Sequence, residues 1–463
     1  MRVLHVTGAA VVGGVERVQS SYIGELGARG VSCERFVYRT GPALSDFRSL
    51  CRVHLKDDGD LGTVIRDRWP DVVHLTVSGL GLGAMEEIAR VGYRGGVVVS
   101  CHSGFSGVVS SRTTSVLTVV SRWLREQVRP FCDLEPLVLY NGVDLDLFSA
   151  RGDDPSPAQP IVAWVGRSRD PVKGFEDFMH VVSGRALTGY GVWVADGDAR
   201  VEEATLSERC GRAVRVFRGL RHESMPSFYR QVGRSGGALL LTSRFDSTPL
   251  VILEALACGC PVIAPRVGGI PEMLADGEWG PVYERGASAN EIASLVVTMA
   301  GQSQRDAYLS RAADELPRLF DLRAMASHLV DVYSQAIERP VAPRIRDIDR
   351  RAIIRWHVRF GRFMQSVDPA PGGRLRVLGI PGWLLKTIAV SATATAAARL
   401  HRRSKEWHCA ARALWESVGR ALGCMQDWWR ACMSAAGRRR RRGSEYRGAE
   451  PAAGTDPQVE LTE

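Results

Sequence analysis

Four kinds of group in this 463-residue chain could act on a small anionic molecule, and each lies in or beside an apolar run. The first is a pair of cations. Arg167 and Lys173 bracket the loop in "VGRSRDPVKGFEDF", between a strand-like stretch and a helix-like one. Arg offers a planar fork and Lys a point charge, a pair suited to a diphosphate that gains charge as its bond breaks. Two solvated loop cations would have the same spelling. The second is a pair of acids. In "RFDSTPLVILEALACGCPV", Asp246 stands before an apolar run and Glu254 lies inside it. Pro249 can begin a helix there, leaving the N–H groups of Leu250 and Val251 free for an anion and Glu254 one turn further in. A carboxylate among apolar neighbours needs a partner. A ribose diol offers two hydroxyl donors; a backbone group or an Arg would also satisfy it. The third is the glycine pair Gly13 and Gly14 in "GGVERV", after the first strand and before a helix. It lets backbone approach a phosphate, although a tight turn uses the same pair. The fourth is His102 in "CHSGF", directly after an apolar strand, where it either faces a cleft or caps the next element.

The elements that must position these groups follow an alternating pattern. In residues 1–150, "RVLHVT", "DVVHLTV" and "GGVVVSCH" read as strands, and "VERVQSSYIGELGARG" and "AMEEIARVG" as helices ending at Gly. After the Pro-rich break "SARGDDPSPAQP" the pattern repeats. "IVAWVG", "YGVWVA", "AVRVFRG", "GALLLT" and "PVIAP" are strands, and "LRAMASHLVDVYSQAIE" (322–338) is a helix that closes the second half at the domain junction. Continuous apolar strands alternating with helices predict parallel sheets covered on both faces. Two such halves predict two doubly wound α/β domains facing a cleft, with ligands at the carboxyl ends of the strands.

Composition sets the outer limits. The length allows two or three domains, and 45% apolar residues exclude wholesale disorder. The first ten residues read as a buried strand rather than a leader, and the ten cysteines show no paired metal-ligand spacing, so they are expected to be reduced packing residues. Charge is uneven. Residues 341–463 carry 23 Lys and Arg against 11 Asp and Glu, while the whole chain carries 60 against 51, so the body is mildly acidic. Six of the eleven tryptophans also lie in that tail.

The stretches "GGVERV", "LYNGVDLDLF", "VGRSRDPVKG", "ADGDA" and "DSTPLVILEALACGCPVIAPRVGGIPEML" occur in the order found in family four of the retaining glycosyltransferases, and over residues 1–338 the chain resembles that family. The resemblance implies a GT-B fold, with an acceptor-side domain at 1–150 and a nucleotide-sugar donor domain at 158–338. It implies transfer of a hexose-type sugar, with retention, from a nucleoside-diphosphate donor to a hydroxyl acceptor that is lipid-linked or a polysaccharide. Glu254 would bind the nucleotide ribose, Asp246 would touch the donor sugar, and Arg167 and Lys173 would hold the diphosphate. Gly13 and Gly14 would approach that diphosphate from the other domain, and His102 would face the sugar. Asp246 stands where the family carries Glu, and Ser247-Thr248-Pro249 replaces a Gly-Phe-Gly run, so the carboxylate reaches less far by about 1.5 Å. No cofactor or metal is expected. "DLDLF" (144–148) contains an Asp-x-Asp spelling but reads as a structural turn. Two other classes share these features: a nucleotide-sugar epimerase, which needs no acceptor, and a non-catalytic scaffold that has kept the fold.

The tail lies outside the resemblance. "RIRDIDRRAIIRWHVRFGRFM" puts Ile345, Ile348, Ala352, Trp356, Phe360 and Phe363 on one helical stripe and four arginines on another. A second amphipathic stretch (407–433) precedes the run Arg438 to Arg442. Residues 339–442 are therefore expected to form a basic, Trp-rich helical extension that binds an anionic membrane surface, with 443–463 disordered. Packing on the enzyme body would use the same helices. Nucleic acid is a less suitable target, and residues 377–398, long enough to span a bilayer, are interrupted by Pro381 and Lys386. The expected location is the cytoplasm, on the inner face of the membrane.

Overall fold

The computed structural model describes residues 1–76, 81–102 and 109–348. All of these lie within one compact unit, Met1–Ile380. Two parallel sheets form its framework. In the first, β1 (Arg2–Thr7), β2 (Ser32–Val37), β3 (Arg52–Leu55), β4 (Val72–Leu75), β5 (Gly96–Cys101), β6 (Val116–Val119) and β7 (Leu137–Val138) take the order β3-β2-β1-β4-β5-β6-β7. In the second, β8 (Ile161–Gly166), β9 (Gly191–Asp196), β10 (Val214–Arg218), β11 (Ala238–Leu240), β12 (Val262–Pro265) and β13 (Val282–Tyr283) take the order β10-β9-β8-β11-β12-β13. Both orders reverse beside their first strand, and such a reversal opens a crevice at the strands' carboxyl ends. Every residue of β4 and β9 is buried, and both read as largely apolar runs, broken only by His74 and by Asp196 at the end of β9. The fold is the GT-B arrangement of two doubly wound domains.

The eight expected strands form β1, β4, β5 and β8–β12. Five more, β2, β3, β6, β7 and β13, carry no comparable signal. In β2 the reason is specific. Arg35 is fully buried in it, its guanidinium lying 3.8 Å from the centre of the Phe47 ring, so a charged residue interrupts what would otherwise read as a core strand. The others are four residues or fewer.

The Leu322–Glu338 helix departs from its expected place. Rather than closing the second half, it returns to the first sheet. Leu322, Met325, Ala326, Leu329 and Val332 pack with Val3, Val18, Val72, Val98 and Val116, and the Tyr333 hydroxyl lies 2.8 Å from His74 Nδ1. An amphipathic stripe specifies that one face is buried but not which sheet receives it. The cysteines Cys258 and Cys260 pack in the second core, and all described cysteines are free thiols.

The start of the tail also differs from expectation. Val341 pairs with Gly95 across a short antiparallel bridge, and Ile348 is buried in the first domain's core. Residues Ile345–Asp347 make a single 3-10 turn, Ile348 is extended, and Ile345 is exposed. Ile345 and Ile348 therefore do not share an α-helical stripe, and residues 339–348 belong to the body by packing. The rest of the expected extension, from 349 to 442, and the tail 443–463 lie outside the described residues. Among the described residues no helix is long and apolar enough to cross a membrane.

Candidate functional site

The cations are set by β8 and the loop that leaves it. Arg167 follows the last strand residue, and its Nη2 donates to Asp170 Oδ2 at 2.5 Å. Asp170 also caps the short 3-10 turn Pro171–Lys173 by accepting the Val172 N–H at 3.1 Å. That turn places Lys173 so that Nζ donates to Asp246 Oδ2 at 2.5 Å. Asp246 therefore has its partner within the protein, the cation six residues beyond Arg167. Its loop is held from behind by the "VGG" turn. Gly269 N–H donates to the Asp246 carbonyl at 3.0 Å, and Gly268 sits at φ 56° where a Cβ would collide with that same carbonyl. Only glycine fits there.

The second acid is on the Leu250–Ala257 helix. Pro249 was expected to be its first helical residue; instead it is the cap, extended at φ −70°, ψ 112°, and Leu250 begins the helix. Leu250 and Val251 line the cleft, at a helix start whose first N–H groups lack acceptors within the helix. Glu254 is 2% exposed. Its Oε2 accepts the Tyr229 hydroxyl at 3.0 Å, and its Oε1 lies 3.4 Å from His222 Nε2. The ring of His222 rests against Phe148, centre to centre 5.0 Å. Burial and the neighbouring Glu254 charge push the Tyr229 phenol far up, so it remains a donor. Neither Tyr229 nor His222 is legible as a partner in "RHESMPSFYR", because nothing in that spelling fixes which face meets Glu254.

The first domain supplies the opposite wall. Gly13 caps the Gly14–Ala28 helix, and both glycines line the cleft. His102 follows β5 directly. Burial lowers its pKa to about 4, so the imidazole is neutral near pH 7, and its Nδ1 has no hydrogen-bond partner among the described residues. Asn141, in "LYNGV", joins the walls: its Nδ2 donates to Thr248 Oγ1 at 2.7 Å.

All nine expected residues, Gly13, Gly14, His102, Arg167, Lys173, Asp246, Leu250, Val251 and Glu254, line one cleft of about 560 Å³ between the two halves. That volume suits a ligand of nucleotide size. Among the lining residues not singled out from the sequence are Glu16, Asn141 and Asp196. Glu16 and Asn141 lay inside motifs already quoted. The third, Asp196, organises the "ADGDA" loop. Burial alone would raise its pKa, but N–H groups of Arg200, Ser168 and Asp198, at 2.9, 3.1 and 3.1 Å, outweigh that and hold it below the ordinary carboxylate value. The "DLDLF" acids are engaged elsewhere. Asp144 Oδ1 accepts the N–H groups of Asp146 and Leu147, and Asp146 pairs with Arg323.

Known proteins are similar to this chain in sequence and in fold. Residues 159–302 match the family described as glycosyl transferases group 1. The chain is 30% identical over 240 residues to the D-inositol 3-phosphate glycosyltransferase of Mycolicibacterium smegmatis, covering 48% of this chain and 53% of that protein. It is 32% identical over 145 residues to D-inositol 3-phosphate glycosyltransferase 2 of Catenulispora acidiphila, covering 31% and 33%. The chain thus spans about half the length, or less, of these curated relatives. Among solved structures, the fold is similar to Anabaena HepE in complex with UDP and glucose, with TM-score 0.59 and 18% identity over 72% of this chain and 99% of that one. It is also similar to sucrose-phosphate synthase from Thermosynechococcus elongatus, with TM-score 0.61 and 19% identity over 72% and 99%. Residues 159–302 thus match the group 1 glycosyltransferase family, and the two-domain fold is of the GT-B type.

Proposed function

We propose that the chain is a retaining glycosyltransferase that moves a hexose-type sugar from a nucleoside-diphosphate donor to a hydroxyl acceptor. The observation that carries this is the meeting of two cations, two helix N-termini and the buried Glu254 carboxylate on a single cleft. Glu254 would accept hydrogen bonds from the ribose hydroxyls, with Tyr229 fixing its orientation. Arg167, Lys173, the glycine pair and the N–H groups of Leu250 and Val251 would hold the diphosphate. His102 and Asp246 would face the sugar. Anabaena HepE, whose fold is similar, is seen with UDP and glucose, which supports this choice of ligand class.

The acceptor hydroxyl would attack from the face that the diphosphate leaves. The bond from the anomeric carbon to the phosphate oxygen breaks, the new bond forms on the same face, and the leaving phosphate takes the hydroxyl proton. The protein contributes position and positive charge where negative charge grows. A screen of nucleotide sugars tests the reading, with release of nucleoside diphosphate as the signal. Release from one or a few donors is expected. An epimerised donor with no release would mean an epimerase, and no binding of any donor would mean a scaffold.

The two cations would do the work that a divalent ion does in metal-dependent transferases. Activity is therefore expected to survive chelation by EDTA. Activity lost on chelation and restored by Mg²⁺ or Mn²⁺ would contradict metal independence.

We further infer that the basic tail holds the enzyme on an anionic membrane, where a lipid-linked acceptor would be at hand. Each basic group near such a surface contributes about 1 kcal/mol. Because Val341 and Ile348 pack on the body, the informative truncation ends at 348. The full chain is expected to co-sediment with phosphatidylglycerol-containing vesicles, less so at high salt, and the chain ending at 348 to stay in solution with donor hydrolysis intact. Equal sedimentation of both, or of neither, would contradict the membrane role.

A further inference from the structure

Of the carboxylates that line the cleft, Asp196, Asp246 and Glu254 come from the second domain and Glu16 alone comes from the first. Each of the other three has an evident protein partner: Asp196 has backbone N–H groups, Asp246 has Lys173, and Glu254 has Tyr229 and His222. Glu16 is placed differently. It stands in the first turn of the Gly14–Ala28 helix and folds back over the cap, so that its Oε2 fills the space a Cβ would take on Gly13. Its own backbone N–H reaches the carboxylate. Arg167, from the opposite domain, acts on it electrostatically, as does the buried Arg35. A carboxylate on a glycine turn, at a helix N-terminus and in the electrostatic field of an Arg, occupies surroundings that would suit a phosphate group.

We propose that Glu16 is a resident anion of the cleft: its carboxylate occupies the phosphate position over the glycine pair in the empty enzyme and must leave when the donor's diphosphate arrives. This rests on the nucleotide reading above. It assigns that site an internal competitor. The competition has two consequences. In the empty cleft Glu16 compensates Arg167, which would otherwise face the first domain without an anion from it. After transfer, return of the carboxylate helps to expel the nucleoside diphosphate. Burial raises the pKa of Glu16, with its own backbone N–H, Arg167 and Arg35 opposing, so the carboxylate is partly shielded from water.

The sign of the effect separates this from an ordinary ligand-binding acid. Glu16→Gln keeps the shape and removes the charge, and it should tighten nucleoside-diphosphate binding. Two like charges about 4 Å apart in a wet cleft repel enough to change affinity roughly fivefold or more. Glu16→Ala should tighten it too. The experiment is calorimetry of the full chain with UDP, ADP and GDP, and with the matching nucleosides. With whichever diphosphate the wild type binds, both variants are expected to bind at least about fivefold tighter, while nucleoside affinity stays the same. Thermal melts of both variants check that the fold is intact; a modest loss of Tm is expected from weakening the first turn. Unchanged or weaker diphosphate binding in folded variants would overturn the resident-anion role and leave the nucleotide reading standing. Absence of diphosphate binding in wild type and variants alike would overturn both.

Discussion

Lys173→Ala is expected to lower turnover by about 10²–10³-fold while weakening donor affinity far less, and Arg167→Ala to do the same. Negative charge on the diphosphate grows as the bond to the sugar breaks, so a fixed cation is worth more at the transition state than in the ground state. The structure adds a feature specific to Lys173. Its Nζ is bound to Asp246 Oδ2 at 2.5 Å, and both side chains are largely shielded from water. Removing Lys173 therefore leaves a carboxylate unneutralised next to the place where phosphate charge develops. Lys173→Ala with Asp246→Asn should recover part of the donor affinity, because the repelling charge is gone, and should recover little turnover, because the stabilising charge is still missing. Steady-state kinetics on the single and double variants checks this. Equal losses in turnover and affinity would mean that the cation binds the donor and does nothing further.

Glu254→Gln is the second large effect. It is expected to weaken nucleoside-diphosphate binding by about 1.5–3 kcal/mol, or roughly ten- to a hundredfold, because a neutral amide replaces a charged acceptor. The fold should tolerate the change. Gln keeps one oxygen for the Tyr229 hydroxyl, and the Leu250–Ala257 helix carries its apolar contacts through Ile252, Leu253 and Leu256. Tyr229→Phe should produce a smaller loss in the same direction, since it frees Glu254 to rotate without removing its charge. Calorimetry with nucleoside diphosphate separates the two. Unchanged affinity in Glu254→Gln would remove that residue from the ligand site.

What the sequence made legible follows from what each signal measures. Strands buried on both faces, such as β4 and β9, announce themselves because most of their residues are apolar. Short strands such as β3 and β7, partly exposed, do not. The cleft residues were legible because each stands in a motif at a strand end or helix start, where chemistry-bearing groups meet in this architecture. Their partners were not. Tyr229, His222 and Asp170 depend on which face of a helix or loop turns toward the acid or Arg, and that is decided by packing between elements far apart in the chain. The Leu322–Glu338 helix is the clearest case. Its apolar stripe is plain in the sequence, yet the sheet that receives it belongs to the other domain. The same holds for Ile348, whose apolar side chain fits a membrane-facing stripe in the sequence and a core position in the structure.

The most direct test is the anomeric configuration of the first product formed from the donor that the screen identifies, read by proton NMR before any secondary exchange. The account expects a new glycoside with the donor's own anomeric configuration and one nucleoside diphosphate released per sugar transferred. A product of inverted configuration, or an isomerised nucleotide sugar with no glycoside formed, would contradict it.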